Sequence, residues 1–167
     1  MASSSSSGQL SAPSLSQQRV LVTSHNAEVI YSTSQFPADL NNDADIASHK
    51  ALLGGNTGLV SPNGTILRCV DFAPAYRCGM HRTQSLDYGI VMNGNIDMVL
   101  DSGEVHHMKA GDVAVQRATN HQWLNTSSTE WARMMFVLQG CAPLKVGEEA
   151  LSEDLGEDLN FLPASHE

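Results

Sequence analysis

The sequence predicts an all-β protein whose main domain is a single sandwich or barrel. Between residues 57 and 140, short runs rich in valine, isoleucine, leucine and methionine recur at roughly 8–12-residue spacing, which is typical of these architectures. Turn sequences separate the runs, and no stretch in this range carries an apolar stripe at helical spacing. The length of 167 residues suits one hydrophobic core with additional segments at its ends.

The individual elements follow in order along the chain. Two runs, RVLVT and EVIYST, predict strands at 19–23 and 28–33, and the polar segment between them and the next strand is predicted to hold a helical turn at 47–53. Further strands are predicted at 65–72, 87–92, 95–100, 104–108, 113–116, 121–125 and 130–138. The turns that connect these strands include SPNG, NG, DSGE and KAGD.

The two ends of the chain differ from this central region. Residues 1–18 contain eight serines and no charged side chain, a composition that predicts a disordered tail. The β-barrel domain is predicted at 19–145, and an acidic C-terminal extension at 146–167. Within this extension, residues 147–159 hold six acidic residues and leucines at every fourth position, which predicts either a short amphipathic helix or a solvated arm on the barrel.

Charge and cysteine content exclude several classes of partner. The formal net charge is −9, which argues against nucleic acid and against anionic membranes, because contact with phosphates needs a basic face. No run of about 18 apolar residues is present, so the sequence offers no candidate membrane span. The three cysteines are an odd number without a secretory signal, which favours reduced thiols over a disulfide framework and predicts a cytoplasmic protein.

A first polar motif, GMHRTQSLDYGIVMNG, lies at the start of an apolar run. It resembles the first motif of the cupin superfamily, G-x5-H-x-H-x3,4-E-x6-G. His81 matches the first histidine of that pattern, Asp87 stands at the glutamate position, and six residues separate Asp87 from Gly94. Thr83 replaces the second histidine, so one of the family's usual polar positions is changed.

A second motif, GDVAVQRATNHQWLN, resembles the second cupin motif, G-x5-P-x-G-x2-H-x3-N. Gly111 matches its first glycine, and three residues separate His121 from Asn125. Arg117 and Thr119 occupy the positions where proline and glycine are usual. Together the two motifs and the strands between them cover roughly residues 58 to 140.

The resemblance implies a single-domain cupin with a jelly-roll β-barrel of six to eight strands, often a homodimer. Similar proteins in fungi accompany polyketide and other secondary-metabolite pathways. A small molecule is therefore the expected partner, and the barrel interior is the expected place for it.

Strand alternation brings the candidate catalytic side chains to shared faces. His81 and Asp87 are an even number of residues apart and face the same way in an extended segment, as do His121 and Trp123. If both sets face the barrel interior, two imidazoles and one carboxylate can hold one divalent metal ion, either zinc, iron or manganese, or exchange protons with a substrate without a metal. The remaining alternative is that His81 and Asp87 pair with each other or with backbone groups.

Three further residues are predicted to bind substrate. Thr83 shares the inward face of the first motif, Arg117 presents a guanidinium fork to a substrate carboxylate, and Trp123 offers a flat wall to a ring. A structural role for Arg117 and a core position for Trp123 are the alternatives. The other histidines are not assigned to the site, and at most one of the adjacent His106 and His107 can face inward, because neighbouring side chains of a strand alternate.

These observations predict an enzyme that acts on a polyketide-like aromatic or carboxylic substrate. The leading hypothesis is a lyase, either a dehydratase or a decarboxylase, or a cyclase, with His81, Asp87 and His121 as catalytic residues or metal ligands. A non-haem iron dioxygenase and a non-catalytic metabolite-binding protein are the alternatives, since the fold by itself does not determine function.

Overall fold

A computed structural model describes residues 29–53, 58–157, 159 and 162–165. The predicted tail at 1–18 and the predicted strand at 19–23 lie outside these residues, and the domain limits remain predictions. The described elements are β1 (Val29–Ser32), α1 (Ala44–Leu53), β2 (Thr65–Phe72), β3 (Ser85–Asn93), β4 (Asn95–Leu100), β5 (Val105–Lys109), β6 (Val113–Arg117), β7 (His121–Leu124), β8 (Ala132–Gly140), β9 (Lys145–Val146) and β10 (Glu149–Ala150).

Two antiparallel sheets form the body of the described chain. The larger sheet has the strand order β1-β2-β8-β3-β6, and the smaller one has the order β5-β4-β7. Together they contain eight strands, which agrees with the predicted number for a jelly roll. The prediction of an all-β fold is therefore confirmed for the residues described, and most predicted strands match the observed ones within two residues.

The hydrophobic core lies where the two sheets face each other. Phe72, Val91 and Met134 come from the larger sheet, and Ile96 and Trp123 come from the smaller one. All five are almost inaccessible to solvent. The burial of these apolar side chains on both inner faces holds the sheets together.

Gly94 shows why the predicted NG turn between β3 and β4 needs glycine. Its φ angle is +77°, in the left-handed region that residues with a Cβ atom rarely adopt. A Cβ atom at this position would also lie 2.9 Å from the Cα atom of Ala132 and from the carbonyl oxygen of Trp131. The turn therefore sets the β3–β4 connection through both its backbone angle and the close approach of β8.

Asn125, the last residue of the second motif, fixes the loop after β7. It is 1% exposed, and its Nδ2 group donates to the carbonyl oxygens of Phe72, Ala73 and Glu130 at 2.8–3.0 Å. Its Oδ1 atom accepts a hydrogen bond from the backbone N–H of Ser127 at 3.1 Å. This side chain therefore satisfies backbone groups in the loops after β2 and β7, which explains structurally why an asparagine suits this position.

Helix α1 is longer than the predicted turn at 47–53 and begins at Ala44. Polar contacts join it to the strand segment before it. Ser32 Oγ lies 3.0 Å from His49 Nδ1, and the hydroxyl of Tyr31 donates to the carboxylate of Asp45. His49 is buried by this contact and lies away from the two motifs.

The acidic extension is an arm and not a helix wherever the structure describes it. The short strands β9 and β10 pair with each other, and Asp154 forms an isolated antiparallel bridge with Arg82. Gly156 has a φ angle of +61°, so the backbone turns where the alternative prediction requires a helix to continue. Of the two predicted forms of this segment, the structure shows the arm.

Cys69, Cys78 and Cys141 are free thiols, as predicted, and the first two are buried. No helix in the part of the chain that the structure describes has the length and apolar character needed to cross a bilayer.

Candidate functional site

The two motif histidines lie side by side on adjacent backbone segments. His121 is the first residue of β7, and the segment that carries His81 runs antiparallel beside it. The backbone N–H of each histidine donates to the carbonyl oxygen of the other at 2.9 Å. Because directly paired residues project to the same side of a sheet, the rings meet, with centroids 4.4 Å apart and an interplanar angle of 50°. The predicted convergence of His81 and His121 is present in the structure.

Both imidazoles have the same tautomer when neutral. His81 Nδ1 lies 2.9 Å from the carbonyl oxygen of Gly79, and His121 Nδ1 lies 3.0 Å from that of Thr119. A carbonyl oxygen can only accept a hydrogen bond, so each Nδ1 atom carries the hydrogen and each Nε2 atom keeps a lone pair. Among the described residues, neither Nε2 atom has a hydrogen-bond partner. The pair thus presents two basic nitrogen atoms with no competing contact.

Burial keeps these rings neutral near pH 7. It lowers the pKa of His81, while the hydrogen bond to Gly79 and the charge of Asp154 act in the opposite direction. In His121, burial and the neighbouring His81 ring lower the pKa to about 4, against the weaker effect of the bond to Thr119. The two Nε2 atoms are therefore available as proton acceptors at neutral pH.

Asp87 belongs to a separate group of polar side chains on the inner face of β3. Its Oδ2 atom accepts a hydrogen bond of 3.0 Å from the hydroxyl of Thr83, and the hydroxyl of Ser85 donates to Thr83 Oγ1 at 2.9 Å. The other carboxyl oxygen of Asp87, Oδ1, is buried and has no partner within the described residues. Burial raises the pKa of Asp87 to about 6, and the hydroxyls of Ser85 and Thr83 oppose this rise.

This arrangement corrects two predicted roles. Asp87 does not hydrogen-bond to His81 or His121, so it does not orient either imidazole. Thr83, predicted to bind substrate, uses its hydroxyl to hold Asp87 and to accept from Ser85. The reason is a bend of the chain at Gln84, between Thr83 and the start of β3, which brings the Thr83 hydroxyl to Asp87.

The predicted metal site with three protein ligands is not formed by the described residues. No three histidine, cysteine, aspartate or glutamate side chains among them are close enough to hold one metal ion. The Nε2 atoms of His81 and His121 are suitable donors, but the carboxylate of Asp87 stands in its own group with Thr83. Since a catalytic metal usually takes three protein ligands, this donor set does not fit the predicted zinc, iron or manganese site.

The structure places the other two predicted substrate-binding residues in different environments. Trp123 is buried beside His121, with ring centroids 5.6 Å apart, and its other neighbour is Phe136 at 5.5 Å. It forms a wall next to the histidine pair and is also part of the core. Arg117 is exposed at the end of β6 and does not join the site, because its strand position faces outward.

Gln116 is the inward-facing polar residue that the sequence analysis missed. It is 3% exposed, and it is the direct cross-strand partner of Asp87 in the β3–β6 ladder. Its Nε2 atom lies 2.7 Å from the sulfur atom of Met98. The alternation of VAVQR puts Gln116 and Ala114 on the face opposite to Arg117, but it does not tell which of the two faces is buried.

His106 and His107 both lie on exposed positions of β5, apart from the histidine pair of the two motifs. His106 contacts Glu104, and His107 contacts Asp97 at 2.8 Å. Two contacts with surface carboxylates therefore account for these side chains.

The elevated pKa of Asp87 leads to a prediction about stability. A carboxyl whose pKa is higher in the folded state stabilises the fold at low pH, and this contribution is lost as the pH rises from about 4 to about 6. We expect Asp87→Asn to be more stable than the native chain at pH 7.5, by up to about 3 kcal/mol, because the amide stays uncharged. Urea unfolding at that pH measures the difference.

His121 has the opposite pH dependence and provides a second measurement. Its lowered pKa means that stability is lost as the pH falls from about 6.5 to about 4, which offsets the gain from Asp87 over the same range. In Asp87→Asn the offset is gone, so stability should fall more steeply between pH 6.5 and pH 4. Asp101→Asn, in an exposed turn, is the control with no expected change. If Asp87→Asn were less stable than the native chain at both pH 6.5 and pH 4, this result would contradict the raised pKa of Asp87.

Comparison with known proteins identifies several relatives. The chain is 47% identical over 121 residues to phomopsin biosynthesis cluster protein D of Diaporthe leptostromiformis, covering 72% of this chain and 64% of that protein. It is 39% identical over 127 residues to oryzines biosynthesis cluster protein J of Aspergillus oryzae, covering 76% and 71%. It is 42% identical over 132 residues to the cupin-domain-containing oxidoreductase fogC of Aspergillus ruber, covering 78% and 64%.

The chain thus spans slightly less than two thirds of the length of the phomopsin protein and of fogC. No protein-family model matches it. Among solved structures, a cupin 2 conserved barrel domain protein from Salinispora arenicola aligns with a TM-score of 0.41 and 26% identity, over 45% of this chain and 62% of that chain.

Proposed function

Because the chain belongs to the cupin superfamily and is related to fungal biosynthesis-cluster proteins, we propose that it is an enzyme of secondary metabolism that transfers protons on a small molecule. The observation that carries this proposal is the pair of buried, neutral imidazoles of His81 and His121, whose Nε2 atoms have no partner among the described residues. Neither Nε2 atom is among the fully enclosed polar atoms that lack a partner in the described residues, so both atoms can be reached from solvent. Two accessible basic atoms side by side on buried rings favour proton transfer with a small molecule that enters there.

The proposed chemistry is that of a lyase on a polyketide-like aromatic or carboxylic compound. In a dehydration, one Nε2 atom takes the proton from the carbon next to a carbonyl group. The resulting imidazolium returns a proton to the departing hydroxyl, so that a carbon–carbon double bond forms and water leaves. In a decarboxylation, one Nε2 atom takes the proton of the substrate's carboxyl group, the carbon–carboxylate bond breaks, and carbon dioxide leaves. The imidazolium then delivers that proton to the carbon. A cyclase would use the same proton removal to form a ring bond.

Asp87 is proposed to contact the substrate without acting on the imidazoles. Its Oδ1 atom is buried and unpartnered, while Thr83 holds Oδ2 in place. With a pKa of about 6, the carboxyl can accept a hydrogen bond from a substrate hydroxyl when ionised, or donate one to a carbonyl when protonated. Trp123 lies beside His121 and would bound the space that a ring occupies.

An oxidoreductase is the second candidate function, because fogC and virC are each named a cupin-domain-containing oxidoreductase. The chain is 44% identical to virC of Hypocrea virens over 124 residues. A non-catalytic protein that only binds a metabolite is the third. These candidates differ in the change of mass that the substrate undergoes.

The test begins with the substrate. Deletion of the gene should cause one cluster metabolite to accumulate, which mass spectrometry of culture extracts identifies. The purified protein is then incubated with that compound in air and without oxygen, and its iron content is measured. Equal turnover in both atmospheres, with loss of water or carbon dioxide, supports the lyase. Turnover that consumes oxygen together with stoichiometric iron would assign the oxidoreductase, and binding without turnover would exclude an enzyme.

We propose in addition that two copies of the chain associate through the outer face of β3 and β6. Tyr88, Met92, Val113 and Val115 are exposed there, which leaves an apolar surface on a strand at the edge of the larger sheet. A second copy suits this surface because edge strands can pair about a two-fold axis and continue the sheet. The three free thiols support a reducing compartment, and we propose a cytoplasmic location.

The homodimer is tested by a charge on this face. Val115→Glu should convert a dimer of 17.9-kDa chains into a monomer, because a carboxylate would be buried in an apolar contact. Val105→Glu on β5 of the smaller sheet, at a similarly exposed valine, is the matched control and should stay dimeric. Sedimentation velocity distinguishes the two masses. A monomeric native chain, or a Val115→Glu dimer, would reject this interface.

A further inference from the structure

We infer that the C-terminal arm, defined as residues 151–157 with 162–165, is a positioning element of the histidine pair. The inference rests on the proposed function of that pair. It gives a role to the acidic extension, which the sequence analysis placed on the barrel without a function.

The arm is bonded to the segment that carries His81 on the side opposite to β7. On one side, His81 exchanges two backbone hydrogen bonds with His121. On the other side, the N–H of Arg82 donates to the carbonyl oxygen of Asp154 at 2.6 Å, and the N–H of Asp154 donates to that of Arg82 at 2.9 Å. The short segment at 81–82 therefore lies between β7 and the arm, as the middle strand of three.

This middle position matters because β7 and the arm hold different parts of the segment. The residues before His81 bond to β7, where the N–H of Cys78 donates to the carbonyl oxygen of Trp123 at 3.1 Å. Arg82, directly after His81, bonds to the arm. Loss of the arm would leave Arg82 without these backbone partners and the outer edge of the segment at 81–82 open to water. We expect the ring of His81, now 4.4 Å from that of His121, then to be held less firmly.

Gly156 seats the arm against the same segment. Its φ angle is +61°, and a Cβ atom on it would lie 2.5 Å from the carbonyl oxygen of Met80, the residue before His81. Only glycine combines this backbone angle with this approach. The contact is to backbone, so it cannot be relieved by a side-chain rotation.

Ser165 ties the far end of the arm to the body of the protein. Its hydroxyl accepts a hydrogen bond of 3.1 Å from the backbone N–H of Val60 and donates one of 2.8 Å to Glu153. The N–H of Ser165 donates to the same carboxylate at 2.9 Å. Ser165 is buried, which makes this tie part of the fold and not a surface contact.

The charge of the arm acts on one histidine of the pair. Burial lowers the pKa of His81, and the charge of Asp154 opposes this lowering. In His121, by contrast, the neighbouring His81 ring lowers the pKa further. The arm thus makes the two imidazoles unequal, and His81 is the one whose protonated form it favours. Arg82, on the same segment, is the neighbouring positive charge.

The test displaces the arm without changing any residue of the histidine pair. Gly156→Ala introduces the Cβ clash with Met80, and Gly147→Ala is the matched control. Gly147 also lies in the acidic extension with a φ angle of +64°, but a Cβ atom on it would meet nothing within 4 Å. The two variants therefore carry the same backbone strain, and only one of them carries the contact with the His81 segment.

The first measurement is the rate at which diethyl pyrocarbonate modifies each histidine, followed by mass spectrometry. In Gly156→Ala, modification of His81 should be at least about tenfold faster than in the native chain, because the segment opens. Gly147→Ala should react like the native chain, and exposed His106 should react equally in all three. Unchanged protection of His81 in a folded Gly156→Ala would overturn the inference.

A second variant covers the case in which Gly156→Ala does not fold. Ser165→Ala removes the hydroxyl tie without adding a clash, and its modification of His81 should also exceed that of the native chain. Equal protection in this variant would count against the inference. Turnover gives a separate readout, since kcat should fall in Gly156→Ala and not in Gly147→Ala. Modification does not depend on turnover, so an inactive native protein would contradict the proposed function and leave the role of the arm measurable.

Discussion

A His121→Ala variant is expected to lose at least about 100-fold in turnover while remaining folded, the lower end of what a general acid–base residue contributes. The change removes the ring that lies 4.4 Å from that of His81, together with the contact to Trp123. The backbone hydrogen bonds between the two segments do not involve the side chain and should persist. Product formation by the purified variant, and the metabolite profile of a strain that carries it, measure the loss.

His106→Ala and His107→Ala are the matched controls, because both remove an imidazole from the exposed face of β5. They should retain native turnover. His81→Ala should lose activity to a similar degree, and the double variant should lose little more than either single one, since the two rings act as a unit. Native activity in His121→Ala would show that the pair is structural and would remove the basis of the proposed function.

The largest effect on stability is expected for Asn125→Ala, at about 4 kcal/mol. Alanine would leave the carbonyl oxygens of Phe72, Ala73 and Glu130 without their donor and the N–H of Ser127 without its acceptor. The Asn125 side chain is 1% exposed and its bond to Phe72 is buried, while the other three bonds are partly buried, so water can replace the amide only in part. Urea unfolding at pH 7.5, where burial keeps His81 and His121 mainly neutral, measures the loss.

Asn120→Ala is the matched control for this measurement. Its amide oxygen is buried but has no partner among the described residues, so its removal breaks no hydrogen bond of that atom. We expect a change within about 1 kcal/mol, of either sign. If the two asparagine variants lose equal stability, the hydrogen bonds of Asn125 are not what holds the loops.

The strands were predictable because their signals are local. β2 and β4 are rich in apolar residues, the SPNG turn precedes β2, and the NG and DSGE turns bound β4 on each side. The left-handed backbone angle of the NG turn requires glycine at position 94, and this requirement is local to the turn. The pairing of the histidine segments was also foreseeable in part, since the order and spacing of the two motifs resemble those of a known family.

The direction of each strand face was harder to predict, and β6 shows why. The alternation of VAVQR contains two valines on one face and an alanine with a glutamine on the other, so hydrophobicity alone favours burial of the valines and with them Arg117. The structure buries Ala114 and Gln116 instead. Pairing with β3 decides this, because Ala114 lies opposite Gly89 and Gln116 opposite Asp87, whose side is the inner one.

The position of Asp87 relative to the histidines is a second example. The alternation of side chains along a strand correctly places Asp87 on the inner face. It does not give the distance between Asp87 and the two histidines. The chain bends between the two sheets after His81, so the carboxyl follows β3 into the larger sheet while the imidazoles stay beside β7. Thr83, at the bend, then becomes the hydrogen-bond donor to Asp87.

The sequence by itself thus determined the all-β class, the strands with their turns, and the two histidines of the motifs, because periodicity and turn residues act over a few positions. Tertiary structure alone decided which partners those histidines have, which face of β6 is buried, and that the acidic extension lies against the His81 segment. Each of these depends on contacts between residues far apart in the chain. Such contacts follow from strand register and backbone approach, which no local pattern encodes.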